Sequence, residues 1–302
     1  MNSPQTILLT GGTGLIGSKL TRLLLDKGYD VRHLSRNKKP SPGIKTFYWD
    51  VAKEEIDEQC VDGVDTVIHL AGEGVADKRW TDERKKAIVE SRTKSIGLIY
   101  GLLKKNKHQV KSVISASAIG YYGHRSDELV DEDSLPGSDF LANCCVAWEA
   151  AADEGSSLGL RVVKFRTGVV LDVAGALPQM AAPIRWYIGS PLGSGKQWIP
   201  WIHNQDVIDM YLFAIENIQI EGVFNMVAPN PVTNKQLTKA IAQQLHRPIW
   251  LPNVPAFVLK LLLGEMSIIV LGGTKVSAEK IKDAGFTFKY TDVGGALKDI
   301  YG

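Results

Sequence analysis

The sequence predicts an α/β fold, a doubly wound parallel sheet followed by a smaller C-terminal α/β lobe, and three observations carry that reading. Strand and helix patterns alternate through the first half of the chain. An apolar strand close to the N-terminus runs straight into a glycine-rich turn that opens an amphipathic helix. After residue 170 the alternation gives way to a texture rich in Gly and Pro. Repeated β–α–β alternation requires right-handed crossovers and gives a parallel sheet covered on both faces.

The first strand and its turn are residues 7–17, ILLTGGTGLIG, with Gly11, Gly14 and Gly17 spaced GxxGxxG. Each glycine has a mechanical use there: one permits the tight turn, one lets the backbone approach a pyrophosphate, and one lets the helix pack close to the strand. The helix that follows carries Ile16, Leu20, Leu23 and Leu24 on one face and stops at Gly28. Its N-terminus presents free amides and the positive end of the helix dipole to an anion. Strand, turn and helix in this order point to a Rossmann-type dinucleotide site rather than an ordinary loop.

Further strands read at 30–34, 46–49, 66–70 (TVIHL), 112–117 (SVISAS) and 161–166 (RVVKFR). A long helix runs from about 82 to 105, and another from 142 to 156. Ligands of such sheets sit beyond the carboxyl ends of the strands, where the residues singled out below fall. After Gly175 and Pro178 the expected elements are a short helix, a helix at 206–216, a strand at 222–226 and a helix at 233–246. From about Pro252 the pattern is helical with short turns. Two domains are expected: 1–225, the nucleotide-binding unit with parts of a substrate lobe, and 226–302, small and mainly helical.

At 302 residues, 44% hydrophobic and 23% charged, the chain suits a soluble protein with a substantial core. A net charge of +2 gives no reason to expect nucleic acid or an anionic membrane as partner. Basic pairs such as Lys38–Lys39, Lys85–Lys86 and Lys104–Lys105 read as solvated surface. Cys60, Cys144 and Cys145 have no metal-binding spacing, and their odd number fits a reducing, cytoplasmic compartment. The N-terminus has no basic-then-apolar signal, and the apolar stretch 257–273 is broken by Lys260, Glu265 and several glycines. The expected partner is a small-molecule substrate, no metal is called for, and a homodimer stays open.

With LLTGGTGLIG, DTVIHLAGEG and SASAIGYYG in this order, the chain resembles the extended short-chain dehydrogenase/reductases, the NAD-dependent epimerase/dehydratase family, over about residues 5–225. PLGSGKQWIPWIH (191–203) and APNPVTN (228–234) resemble an atypical branch, predicted nucleoside-diphosphate-sugar epimerases that end in a domain of unknown function. The resemblance implies that Gly11, Gly14, Leu15, Ile16 and Gly17 hold a pyrophosphate. It also implies that Asp50 meets the adenine and that Leu70, Ala71 and Gly72 line the adenine-side ribose. Arg92 and Arg166 are further candidates near the cofactor, with a surface helix residue as the alternative for Arg92. His69, inside an apolar strand, reads as a packed core residue rather than a base.

At the tip of the second strand an NAD site wants an acid, whereas an NADP site wants a cation. The chain has Ser35, Arg36, Asn37, Lys38 and Lys39 there, with no acid. Arg36 can fork onto a phosphate and Ser35 can add a hydrogen bond, so NADP is expected in preference to NAD.

The family's reductive chemistry uses a tyrosine and a lysine four residues later on the helix after the fifth strand. That helix reads DFLANCCVAWEAAA here, placing Leu141 and Cys145, or Phe140 and Cys144, at those positions. Tyr100 and Lys104 have the right spacing on the wrong helix and read as a surface coincidence. Ser115 and Ser117 remain at the end of the fifth strand, with Tyr121 and Tyr122 beyond it. Ser115 and Tyr121 are therefore the catalytic candidates, Tyr121 as the acid; otherwise the tyrosines only wall the pocket. Trp198, Trp201, His203 and Asp206 fit either a substrate-orienting loop or a seam between lobes. Two functions follow. One is an NADP-dependent oxidoreductase or epimerase acting on a small carbonyl or sugar nucleotide. The other is a non-catalytic or redox-sensing NADP(H)-binding protein.

Overall fold

The computed structural model describes residues 5–37 and 43–302, so the expectation for Lys38–Lys39 lies outside the described residues. In chain order the strands of the first half are β1 (Thr6–Thr10), β2 (Asp30–Ser35), β3 (Lys45–Asp50), β4 (Glu55–Ile56), β5 (Thr66–His69), β6 (Ser112–Ala118), β7 (Leu129–Val130) and β8 (Arg161–Thr167). Helices α1 (Leu15–Asp26), α2 (Asp82–Lys105) and α3 (Phe140–Asp153) connect them. The second half adds β9 (Val169–Leu171), β10 (Trp198–Ile199), β11 (Trp201–His203), β12 (Gly222–Met226), β13 (Val232–Thr233) and β14 (Lys275–Val276). Its helices are α4 (Ala176–Arg185), α5 (Asn204–Glu216), α6 (Asn234–Gln244), α7 (Ala256–Leu263), α8 (Ile268–Leu271), α9 (Glu279–Asp283) and α10 (Val293–Tyr301).

The main sheet has the order β12–β8–β6–β5–β1–β2–β3–β4. Every pairing is parallel except β3 with β4. The chain order reverses between β1 and β5, which opens the crevice where such sheets take ligands. Alternating side chains serve the two faces: Ile7, Leu9, Ile68 and Ile114 pack with α1 and α5. Leu8, Val67 and Val113 pack with Ile96, Ile99 and Leu103 of α2.

Local chemistry sets the helix ends. Thr81 caps α2 by accepting from the Arg84 amide, with Asp82 and Glu83 in the first turn and Lys104 and Lys105 in the last, as the helix dipole favours. Asp139 caps α3 through the Ala142 amide, so this helix starts at Phe140, earlier than periodicity suggests. Thr233 and Gln236 form a reciprocal capping box that opens α6. Tyr100 corrects an expectation: it is buried, and its hydroxyl donates to the Ala152 carbonyl at 2.7 Å, tying α2 to α3. Packing against α3 gave that position an inward face which charge pattern alone did not reveal.

The second half shares the main core with the first, Val207, Met226, Ile281 and Phe286 joining Ile7, Leu9 and Ile68, and it has a further cluster of its own. Leu171, Leu177, Ile184 and Trp201 pack with Leu237, Ile241, Ala296 and Leu297. The buried Asp206 carboxylate accepts the amides of Lys289 at 2.7 Å and Tyr290 at 3.1 Å. The His203 ring lies 3.9 Å from the Tyr290 ring, and its Nε2 is 3.4 Å from Asp299. β14 pairs in parallel with β7, a strand that its short sequence did not announce. No helix among the described residues is long and apolar enough to cross a membrane.

Beneath the sheet's carboxyl end lies a buried polar network. Arg166 grips Glu149 with two bonds, Nε to Oε1 at 2.8 Å and Nη2 to Oε2 at 2.9 Å. Its Nη1 donates to the Tyr122 hydroxyl and to the Glu132 carbonyl. Ser117 donates to Glu149 at 2.7 Å, and Tyr122 donates to Asn225 Oδ1 at 2.6 Å. The network joins β6, α3, β8 and β12. Removing one partner of such a pair leaves the other charge buried, so Glu149→Ala should lower unfolding free energy by about 3–5 kcal/mol. The apolar double replacement Glu149→Leu, Arg166→Met should recover most of that loss. Urea unfolding of the three proteins checks both statements.

Candidate functional site

The glycine-rich turn divides its work among three positions. Gly11 has φ +70°, and a Cβ there would sit 3.0 Å from the Leu70 carbonyl carbon. Gly17 packs so closely on the Gly11 carbonyl that any side chain would overlap it. Gly14 is different: a Cβ would meet only the Gly11 oxygen, at 3.2 Å, so its outer side faces open space. Gly14 is also the N-cap of α1, where no side chain accepts from the first-turn amides and the first turn carries no acid. The amides at Leu15 and Ile16 thus begin a helix that is uncapped on its ligand side, the arrangement that receives an anion.

Two supports of this turn escaped the sequence reading. The His33 ring lies directly against the Gly12 α-carbon and bonds Thr21 of α1 at 2.9 Å. Burial lowers its pKa. Thr10 Oγ1 accepts from the amides of both Leu70 and Ala71 at 3.0 Å, holding the ends of β1 and β5 at a fixed separation. Asp172, after β9, pairs with Lys19 of α1 and accepts from Asn204. Gly175 then rests on Leu15, so the loop after β9 crosses the N-terminal turn of α1. Neither interaction has a local motif that could have signalled it.

The adenosine-side candidates occupy one rim. Ser35 ends β2, and its hydroxyl accepts from the Asn37 amide. Arg36 is exposed beside it and forms no ion pair among the described residues. Asp50 ends β3, where its Oδ1 accepts from the Ala52 amide at 3.0 Å and shapes the following turn. Leu70, Ala71 and Gly72 leave β5 against Gly11 and Arg92. Arg92 is buried rather than a surface residue; it donates to the carbonyls of Ile88 and Glu73 and stacks 4.8 Å from the Trp148 ring. Arg166 stands apart from this rim, committed to Glu149. His69 is fully buried on Ser95, and burial with the nearby Arg92 cation pushes its pKa down to about 3, so it is a neutral core residue.

A cavity of about 260 Å³ opens beyond β6, bounded by α3 on one side and residues 268–274 of the C-terminal lobe on another. Leu141, Cys144, Cys145 and Trp148 of α3 line it, joined by Arg92, His124 and Trp198. Burial raises both thiols, Cys145 to about 12, so each keeps its proton at neutral pH. The two catalytic candidates are not on this wall. Ser115 is buried on the α2 side of the sheet and donates to its neighbour's carbonyl. Tyr121 lies over Arg166, 3.4 Å from its guanidinium carbon, and packs in an apolar cluster with Phe288. The cation and the cluster draw its ring away from the cavity. Trp198 lines the cavity, while Trp201, His203 and Asp206 are buried, the last two against residues 289–299.

Residues 7–226 match the family model described as NAD dependent epimerase/dehydratase. The chain belongs to that family. Residues 254–300 match a domain of unknown function, DUF1731. The epimerase family protein YfhF of Bacillus subtilis is 38% identical over 299 residues, covering 98% of each chain. The crystal structure of human epimerase family protein SDR39U1 (isoform 2) with NADPH is similar at a TM-score of 0.86 and 32% identity, covering 98% of this chain and 99% of that one. A UDP-glucose 4-epimerase from Thermotoga maritima, at 19% identity and a TM-score of 0.79, shares the fold.

The contrast between Gly14 and Gly17 gives a stability test. Gly17→Ala should destabilise the protein by several kcal/mol, because the new methyl drives α1 off the turn and overpacking costs about 1–3 kcal/mol even where neighbours yield. Gly14→Ala should leave the ligand-free melting temperature nearly unchanged. Thermal unfolding followed by circular dichroism separates the two.

Proposed function

We propose that this chain binds NADP(H) and acts as an oxidoreductase- or epimerase-type enzyme on a small carbonyl or sugar-nucleotide substrate. The observation that carries the reading is the uncapped start of α1, open at Gly14, with the exposed Arg36 at the tip of β2. Backbone amides from Gly11 to Gly17 would hold the pyrophosphate. Ser35 and Arg36 would take the 2′-phosphate, Arg36 as a fork and Ser35 as a further donor. Leu70, Ala71 and Gly72 would back the adenine-side ribose. When bound, the nicotinamide supplies or accepts a hydride. The human relative solved with NADPH, nearly co-extensive with this chain, supports the choice of cofactor. Three free, buried cysteines support a reducing, cytoplasmic setting.

His124 takes the proton-holding role in this reading. It lines the cavity, and its Nδ1 is 2.9 Å from the Gly273 carbonyl oxygen and 3.1 Å from the Gly273 amide. The carbonyl and the amide of Gly273 can serve Nδ1 as acceptor or as donor, so this residue orients the ring and leaves Nε2 outside that contact. A second reading, NADP(H) binding without turnover, draws on Leu141 and Cys145, which put neither a phenol nor an ammonium beside the cavity. NADPH oxidation by the purified protein against a carbonyl panel separates the two.

Arg36→Ala should weaken NADP(H) by about 1.5–3 kcal/mol, the usual loss of a charge-assisted hydrogen bond. It should leave NAD(H) unchanged. Isothermal titration with both cofactors tests this, and equal losses would overturn the assignment. Once a substrate is in hand, His124→Asn should lower kcat by about two to four orders of magnitude with NADPH affinity retained. Wild-type turnover in that variant removes His124 from the mechanism.

A further inference from the structure

Most polar side chains on the cavity wall are already bonded to the protein. Asp139 caps α3, and the Thr274 hydroxyl donates to the Gly123 carbonyl. The Trp198 indole donates to Asp127 at 2.8 Å, and His124 Nδ1 meets Gly273. Arg92, the wall's one Lys or Arg side chain among the described residues, gives its N–H groups to Ile88, Ser91 and Glu73 and its face to Trp148. What the wall leaves for a ligand is apolar: Val75, Ile119, Leu141, Ile199, Ile268 and Ile269, with two protonated thiols. The indole N–H of Trp148 also has no protein acceptor, but it is sealed from solvent within the wall.

A nucleotide sugar fits this wall poorly. Its hydroxyls would lose water without gaining partners, and its diphosphate would find no free cation or helix N-terminus. The 260 Å³ of space is also below the roughly 300–1,000 Å³ that encloses drug-sized ligands. We propose that the site takes an uncharged, mainly apolar aldehyde or ketone, an aromatic or alicyclic compound whose carbonyl oxygen is its one polar atom. This rests on the reading of the chain as an NADP(H)-dependent carbonyl enzyme and narrows its substrate class. The apolar wall matches the body of such a compound, and the His124 ring nitrogen outside the Gly273 contact is left to meet its one polar atom.

The test is binding to the full chain saturated with NADPH, with 1-tetralone, carvone and UDP-glucose as probes, followed by isothermal titration and by quenching of tryptophan fluorescence. At least one ketone should bind about tenfold more tightly than UDP-glucose or better. Leu141→Asn should weaken that ketone by about tenfold while NADPH binding is unchanged, because a polar amide replaces apolar wall. Ile269→Asp, at a partly exposed position on a short helix, gives the same readout should the first variant fail to fold. Tighter binding of UDP-glucose, or binding of neither ketone by protein that holds NADPH, overturns this inference alone. Failure to bind NADPH at all overturns the functional reading beneath it.

Discussion

The buried ion pair between Arg166 and Glu149 is the constraint on which the rest of the molecule's working end depends. It fixes α3 to the central strands β6 and β8 at the carboxyl end of the sheet, where the cavity opens. Through Tyr122, Glu132 and Asn225 the same guanidinium reaches β12 and the loop beyond β6. The loop carrying Tyr121 and His124 therefore takes its course from a charge pair beneath it. A bidentate guanidinium–carboxylate pair is directional as well as strong, so it sets an orientation that apolar packing alone leaves loose.

The nucleotide end of the fold was legible in sequence because each of its requirements is local. A glycine that needs positive φ, a helix without a cap and a cation at a strand tip are all read from a few consecutive residues. A parallel sheet followed from alternation and the strand at 222–226 from its own short run, whereas its place at the sheet edge beside β8 did not. The cavity end was not legible in the same way. Ser115 and Tyr121 have suitable chemistry and suitable chain positions, but side-chain direction decides their use. Strand alternation turns Ser115 under α2, and Arg166 draws Tyr121 into its own cluster. His124 sits only three residues beyond Tyr121, and no local pattern announces its contact with Gly273.

The C-terminal lobe has a part in the site as well as in stability. Asp206 and His203 staple it to the start of α5, while residues 268–274 form one wall of the cavity. Lys85 pairs with Glu265 and Arg79 reaches the Leu262 carbonyl, so the same stretch is also held from the α2 side. Leu141, Cys144 and Cys145 of α3 and residues 268–274 of this lobe line the same cavity, so both elements give its surface hydrocarbon and thiol.

The bare start of α1 also makes folding and ligation a coupled equilibrium. Amides left without side-chain partners by Gly14 exchange water for a charged acceptor when an anion arrives, and the unfolded chain offers that anion no comparable nest. Any ligand bound there at a hundred times its dissociation constant adds about 2.7 kcal/mol to the unfolding free energy by mass action alone. A marginally stable protein of this kind turns that increment into abundance, since the fraction exposed to proteolysis falls with it. The level of the protein in a cell would then follow the size of its cofactor pool.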